Sequence, residues 1–139
     1  MTLGGSSVLV ADEGLISLDA SNGGIIGLGA VTLKADKGIE INDNFISAGM
    51  TTINSDVDGD GAGDFVIAEL QELSTSGNKL EITANDLDLS GTLNSGKGSI
   101  KLLVSDVGAI GLGDTPSDLS ITGAELQNIT ANELTIGRD

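Results

Sequence analysis

Ile82-Thr83-Ala84-Asn85-Asp86-Leu87 returns further along the chain as Ile129-Thr130-Ala131-Asn132-Glu133-Leu134. Both copies set a short β-type run against an Asn/Asp break and then begin another run. A chain that repeats such a unit is read first as a stack of similar coils, because one unit cannot bury its apolar side alone and its neighbours must cover it. Two shorter echoes agree: Ile26-Gly27-Leu28-Gly29 with Ile110-Gly111-Leu112-Gly113, and Ala68-Glu69-Leu70-Gln71 with Ala124-Glu125-Leu126-Gln127.

Outward from these echoes, apolar and polar residues alternate with period two in one short run after another. Examples are Leu15-Ile16-Ser17-Leu18, Val31-Thr32-Leu33-Lys34-Ala35, Gly38-Ile39-Glu40-Ile41, Thr51-Thr52-Ile53-Asn54 and Phe65-Val66-Ile67-Ala68. The same alternation continues through Lys79-Leu80-Glu81-Ile82-Thr83, Ser99-Ile100-Lys101-Leu102, Ala109-Ile110-Gly111-Leu112 and Leu119-Ser120-Ile121-Thr122. Such runs place one set of side chains inside and the other in water. Comparable runs recur about every 20 residues, the spacing of one solenoid rung: Leu33 to Ile53, Leu80 to Ile100, and Ile100 to Leu119 or Ile121. The long interval from Ile53 to Ile82 contains the extra segment 56–64. The expected fold is all-β, a parallel β-helix of about six rungs, forming one segment over residues 1–139 with an acidic insertion at 56–64. Helix competes at 67–73 and 124–134, where Ala, Glu, Leu and Gln have good helical propensity. Thr130, Asn132 and Thr135 oppose it in the second stretch, and strand is the expectation there.

Composition agrees with stacked narrow layers. The chain is 39% apolar, yet it has two Phe, no Trp and no Tyr, so a core must be tiled from Val, Ile, Leu and Ala. Its mean hydropathy of +0.18 gives enough apolar surface to offset the entropy of ordering, unlike a disordered acidic tail. With 21 Gly and a single Pro (Pro116), turn-forming residues are spread evenly between the runs.

Charge narrows the partners. Twenty-one acidic residues face six basic ones, a formal net charge of −15. That excludes a surface that tracks nucleic-acid phosphates and disfavours docking on anionic lipid, while it attracts cations. No apolar run approaches the ~20 residues of a spanning helix, so membrane insertion is not expected. Absence of Cys removes disulfides, thiolate nucleophiles and structural zinc. Met1-Thr2-Leu3-Gly4-Gly5 has neither the basic start nor the apolar stretch of a signal peptide. Because the chain opens and closes in mid-pattern, it is expected to be an excised stretch of a longer repetitive protein.

Three segments together resemble the repeats of filamentous-haemagglutinin-like bacterial surface exoproteins and adhesins exported by two-partner secretion. They are Leu80-Glu81-Ile82-Thr83-Ala84-Asn85-Asp86-Leu87-Asp88-Leu89-Ser90-Gly91-Thr92-Leu93, Asn54-Ser55-Asp56-Val57-Asp58-Gly59-Asp60-Gly61-Ala62-Gly63, and the run from Ile121-Thr122-Gly123 through Ile129-Thr130-Ala131-Asn132-Glu133-Leu134 to Gly137. The resemblance implies a right-handed parallel β-helix in a rod-like stalk, secreted or held at a bacterial cell surface.

The sharpest local motif is Asp56-Val57-Asp58-Gly59-Asp60-Gly61-Ala62-Gly63-Asp64. Carboxylates at alternate positions with glycine sixth let a loop curl so that hard oxygens converge on one cation, the device of calcium loops. Asp56, Asp58 and Asp60 match positions one, three and five, Gly61 matches six, and Asp64 falls at nine. Position twelve is Ile67 rather than a bidentate Glu, which leaves Glu69 or a carboxylate of the next rung to complete a site. The competing reading is a solubilising insertion whose Asp-Gly pairs simply make turns. Four Asp in so short a span repel one another without a counter-ion, which favours calcium as the candidate cofactor.

Other constellations are weaker. Gly23-Gly24 and Gly27-Leu28-Gly29 lack the Lys-Ser/Thr of a phosphate loop and suit tight corners. Asp86 with Asp88, or Asp106 with Asp114, offers paired carboxylates of glycosidase type, but the basic groups a β-helix lyase uses beside them are sparse. Thr-x-Thr is not repeated at rung spacing, which argues against an ice-ordering face. The function expected is therefore structural or adhesive and non-catalytic. The alternatives are a calcium-stabilised module and a carbohydrate-active enzyme. Unpaired strand edges at the two ends would favour end-to-end self-association.

Overall fold

In the computed structural model, which describes residues 1–138, the chain winds through three faces per turn. The first winding is β1 (Thr2–Leu3), β2 (Ser7–Ala11) and β3 (Ile16–Leu18). The second is β4 (Ile25–Gly27), β5 (Val31–Ala35) and β6 (Ile39–Ile41), and the third is β7 (Phe45–Ser47), β8 (Thr51–Asn54) and β9 (Phe65–Ile67). The fourth is β10 (Glu72–Ser74), β11 (Leu80–Ala84) and β12 (Leu87–Leu89). After β13 (Thr92–Asn94) and β14 (Ser99–Val104) come a parallel pair, β15 (Ile110–Leu112) and β16 (Leu119–Ile121), and a short helix α1 (Gly123–Gln127). The last winding is β17 (Ile129–Thr130) and β18 (Glu133–Arg138).

The first face runs β1-β4-β7-β10-β13-β17, the second β2-β5-β8-β11-β14-β18, and the third β3-β6-β9-β12. Pairing is parallel throughout the described residues, and on the three faces each strand bonds to its counterpart in the neighbouring winding. The chain is thus a parallel β-helix of about six rungs with spacing of about 4.8 Å between paired strands.

Because side chains alternate along each strand, in-register stacking turns every inward position into a file. On the second face Leu9, Leu33, Ile53, Ile82, Leu102 and Ile136 lie atop one another. The four central members are fully buried, while Leu9 and Ile136 at the ends are only partly covered. The first face stacks Ile25, Phe45, Leu73, Leu93 and Ile129, and the third stacks Ile16, Ile39, Phe65 and Leu87. Each buried aliphatic or Phe side chain contributes about 1.5–3 kcal/mol, so the files hold the rod together.

Corners use small residues for a steric reason. At the bend from first to second face, buried Ser47, Thr75 and Ser95 donate hydroxyl bonds to turn carbonyls of Gly49, Asn78 and Gly98. A Cβ on Gly49 would lie 2.6 Å from the Ala30 nitrogen of the winding below, so only glycine lets the rungs close.

The sequence reading needs three amendments. β1, β10 and β13 are additional strands: β1 has only two residues, and β10 and β13 each carry one inward apolar residue, Leu73 and Leu93, between polar neighbours, so neither shows an apolar alternation. The partner of Ile100 is Leu134, not Leu119 or Ile121, because β15, β16 and α1 are inserted between β14 and the last winding. Residues 67–73 contain no helix, but Gly123–Gln127 is helical where strand was expected. Thr122 and Glu125 form a reciprocal capping box there, and that local bonding outweighs the strand preference of the flanking residues.

Candidate metal centre in the acidic corner

The bend from second to third face is where every winding places acidic residues: Asp12 and Glu13, Asp36, the 56–64 insertion, Asp86, then Asp106. Many of these carboxylates bond along the rod axis instead of repelling freely. Asp36 Oδ2 accepts from the Glu13 amide of the previous winding at 2.6 Å, and Asp86 Oδ1 accepts from the Ser120 amide at 2.8 Å.

The insertion leaves the rod through a narrow neck. Ser55, fully buried, donates its amide to Thr83 O and its hydroxyl to Gly63 O at 2.9 Å, which brings the two stems together. Gly63 has no room for a Cβ, which would collide with the Ser55 carbonyl. Between the stems the loop curls through Gly59 and Gly61, at φ +64° and +79°, values that L side chains seldom adopt.

That curl turns Asp56 inward. Asp56 is 2% exposed; its Oδ2 accepts from Ser105 Oγ at 2.5 Å and from the Gly61 amide at 3.3 Å. Its Oδ1 is buried with no hydrogen-bond partner. Asp56, Asp58 and Asp60 each offer one carboxylate oxygen, and these oxygens lie within 4.8 Å of one another. Lys37, from the winding below, donates to Asp60 Oδ2 at 2.5 Å and stands 3.8 Å from Asp58 Oδ2. The bond to Asp60 is the main reason the Lys37 ammonium is held above its ordinary pKa, with the charges of Asp58, Asp60 and Asp36 adding to it. The same bond holds Asp60 below the ordinary carboxylate range.

Asp64 and Glu69 do not join this cluster. Asp64 sits at the far stem, its carboxylate bonded by Asn85 Nδ2 at 3.1 Å, and Glu69 lies beyond β9 in the turn leading to β10. Local spacing pointed to the three converging Asp residues, but Lys37 and Ser105 come from windings on either side and leave no local signal. Shallow grooves flank the loop, one lined by Lys37, Glu40 and Asp64, the other by Asp106 and Asp118.

The carboxylates of Asp86 and Asp88 are each engaged by neighbouring groups. Asp88 points outward and accepts from the Ser90 amide and hydroxyl, while Asp86 is held by main-chain amides at the bend. Burial pushes Asp86 above the ordinary carboxylate range, helped by the charges of Asp64 and Glu125 and opposed by its two amide bonds. Gly23 and Gly24 take positive φ in a corner turn, as expected of solenoid bends. Thr32 and Thr52 are neighbours on the second face, but their outward file continues through Val8, Glu81 and Lys101, so it is no threonine ladder.

No protein-family model, curated protein or solved structure matches the chain. Among the described residues no helix is long and apolar enough to cross a membrane.

Proposed function

We propose that this chain is a structural and adhesive stalk segment of a secreted or cell-surface bacterial exoprotein, with extension and display as its work and no catalytic role. The observation that supports this reading is the in-register stacking of the three faces. Main-chain bonds run along one axis and apolar files fill the interior, which makes a stiff rod from repeated coils. Resemblance to filamentous-haemagglutinin-like repeats points the same way. The charge of −15 suits a solvated outer surface and disfavours nucleic acid as a partner.

Immunogold labelling of intact producing cells, with antibody raised against this chain, tests the reading. Label is expected on the outer face or on material shed from it. Label found only after the envelope is opened would overturn it.

A further inference from the structure

We propose that Asp56, Asp58 and Asp60 bind one hard divalent cation, calcium in preference to magnesium, which takes the place of the Lys37 ammonium and ties the insertion loop to the rod.

Two independent observations meet at Asp56. The first is convergence: three carboxylate oxygens lie within 4.8 Å of one another, and calcium–oxygen bonds of about 2.4 Å can span such a separation. The second is the buried Asp56 Oδ1, which has no partner although its residue is 2% exposed. A buried carboxylate oxygen left unpaired costs considerable free energy, and native structures seldom leave one so. Lys37 does not mend this, because it contacts Asp60 and Asp58 and leaves Asp56 Oδ1 unserved. One ammonium also faces three carboxylates, so the corner retains an excess of negative charge that a divalent ion matches better.

The chemistry of the donors selects the ion. The chain has neither His nor Cys, so no soft or borderline ligand is on offer, and carboxylate oxygen suits calcium and magnesium. The cluster contributes three side chains on a glycine-bent loop, while calcium takes 6–8 oxygens in adaptable geometry; water and loop carbonyls complete the shell. Magnesium demands a tighter octahedron at about 2.0–2.1 Å and surrenders its water reluctantly. With three carboxylates and an incumbent lysine, affinity falls in the weak range of extracellular modules, Kd of about 10⁻⁴–10⁻³ M. Because Asp56 also accepts from Ser105 two windings further on, a bound ion links the loop, the Lys37 corner and the Ser105 corner. This inference holds or fails independently of the stalk reading, since its test uses the isolated chain.

Calorimetric titration of the chelator-treated 139-residue chain with calcium chloride, alongside thermal melts, is the test. One ion per chain is expected, with a rise in melting temperature and a weaker response to magnesium. Asp60→Asn, an exposed substitution that spares the fold, should weaken binding about tenfold by removing ligand charge. Lys37→Gln should tighten binding severalfold by removing the competing cation. Absence of both heat and melting shift at about 10 mM calcium, well above the weak end of the expected range, would overturn the site. A calcium response unchanged in Asp60→Asn would do the same, and weakened binding in Lys37→Gln would overturn displacement.

Discussion

Asp86 shows how a single carboxylate can be both useful and costly. Its Oδ1 accepts amides from Leu87 and Ser120 and so joins two strands, yet burial raises its pKa. A raised pKa means that the folded chain binds this proton more tightly than the unfolded chain does. The contribution is therefore full below the ordinary carboxylate value, about 4, and is lost as pH rises through the folded value. Asp86→Asn keeps an acceptor for the two amides without the charge. Melting temperatures of both chains across mildly acid to neutral pH should show the variant gaining on the wild type as pH rises; a constant difference would remove burial of charge as the cause. The acidic insertion at 56–64 was legible in the sequence, with Asp56, Asp58 and Asp60 as its candidate ligands. Lys37 and Ser105 were not, because their meeting depends on which corner lies above which.

At the scale of elements, α1 is the informative departure. Glu125 Oε1 accepts the Leu89 amide at 3.2 Å, and Asn128 Nδ2 donates to Leu89 O at 2.7 Å. These two side chains satisfy the edge of β12 where no next strand continues the ladder fully. Buried Leu119 and Ile121 of β16 meanwhile continue the interior beyond β12. Glu125→Ala should remove the carboxylate half of the capping box and the Leu89 acceptor, leaving the Thr122 bond to the residue 125 amide, and should cost about 1–2 kcal/mol. Hydrogen exchange should accelerate at the Leu89 amide; protection unchanged there would show that the clamp is not what holds the edge. Thr122-x-x-Glu125 was a readable signal for this helix. Strand propensity at Thr130 and Thr135 was correctly placed, but it begins only after the helix has ended.

Over the whole molecule, the 139-residue chain taken by itself presents different strands at its first and last windings. At one end β2, Ser7-Val8-Leu9-Val10-Ala11, is an uncharged edge with Val8 and Val10 exposed, while at the other β18 carries Glu133 and Arg138. Unprotected edges invite strand addition, and the partly covered Leu9 and Ile136 files offer apolar area to a second copy. Repulsion between chains of charge −15 opposes this and is screened by salt. Sedimentation velocity should show concentration-dependent association that strengthens with ionic strength and is suppressed by Val10→Lys, an outward substitution. A monomer at all salt concentrations would show that the ends do not pair.

The echoes mark what sequence and tertiary structure each decided. Ile82-Thr83-Ala84-Asn85-Asp86-Leu87 and its later copy share one local pattern, strand, corner, strand, and that was enough to specify short β runs, small residues at bends and stacked coils. Yet Ile82 lies on the second face and Ile129 on the first, so the copies are not equivalent windings. Register came from burial: the aliphatic file of the second face closes only when Leu33 meets Ile53, Ile82 meets Leu102 and Leu102 meets Ile136. Alternation along a strand is a local property that the chain encodes directly, whereas the height at which two distant corners meet is set by the lengths of every insertion between them.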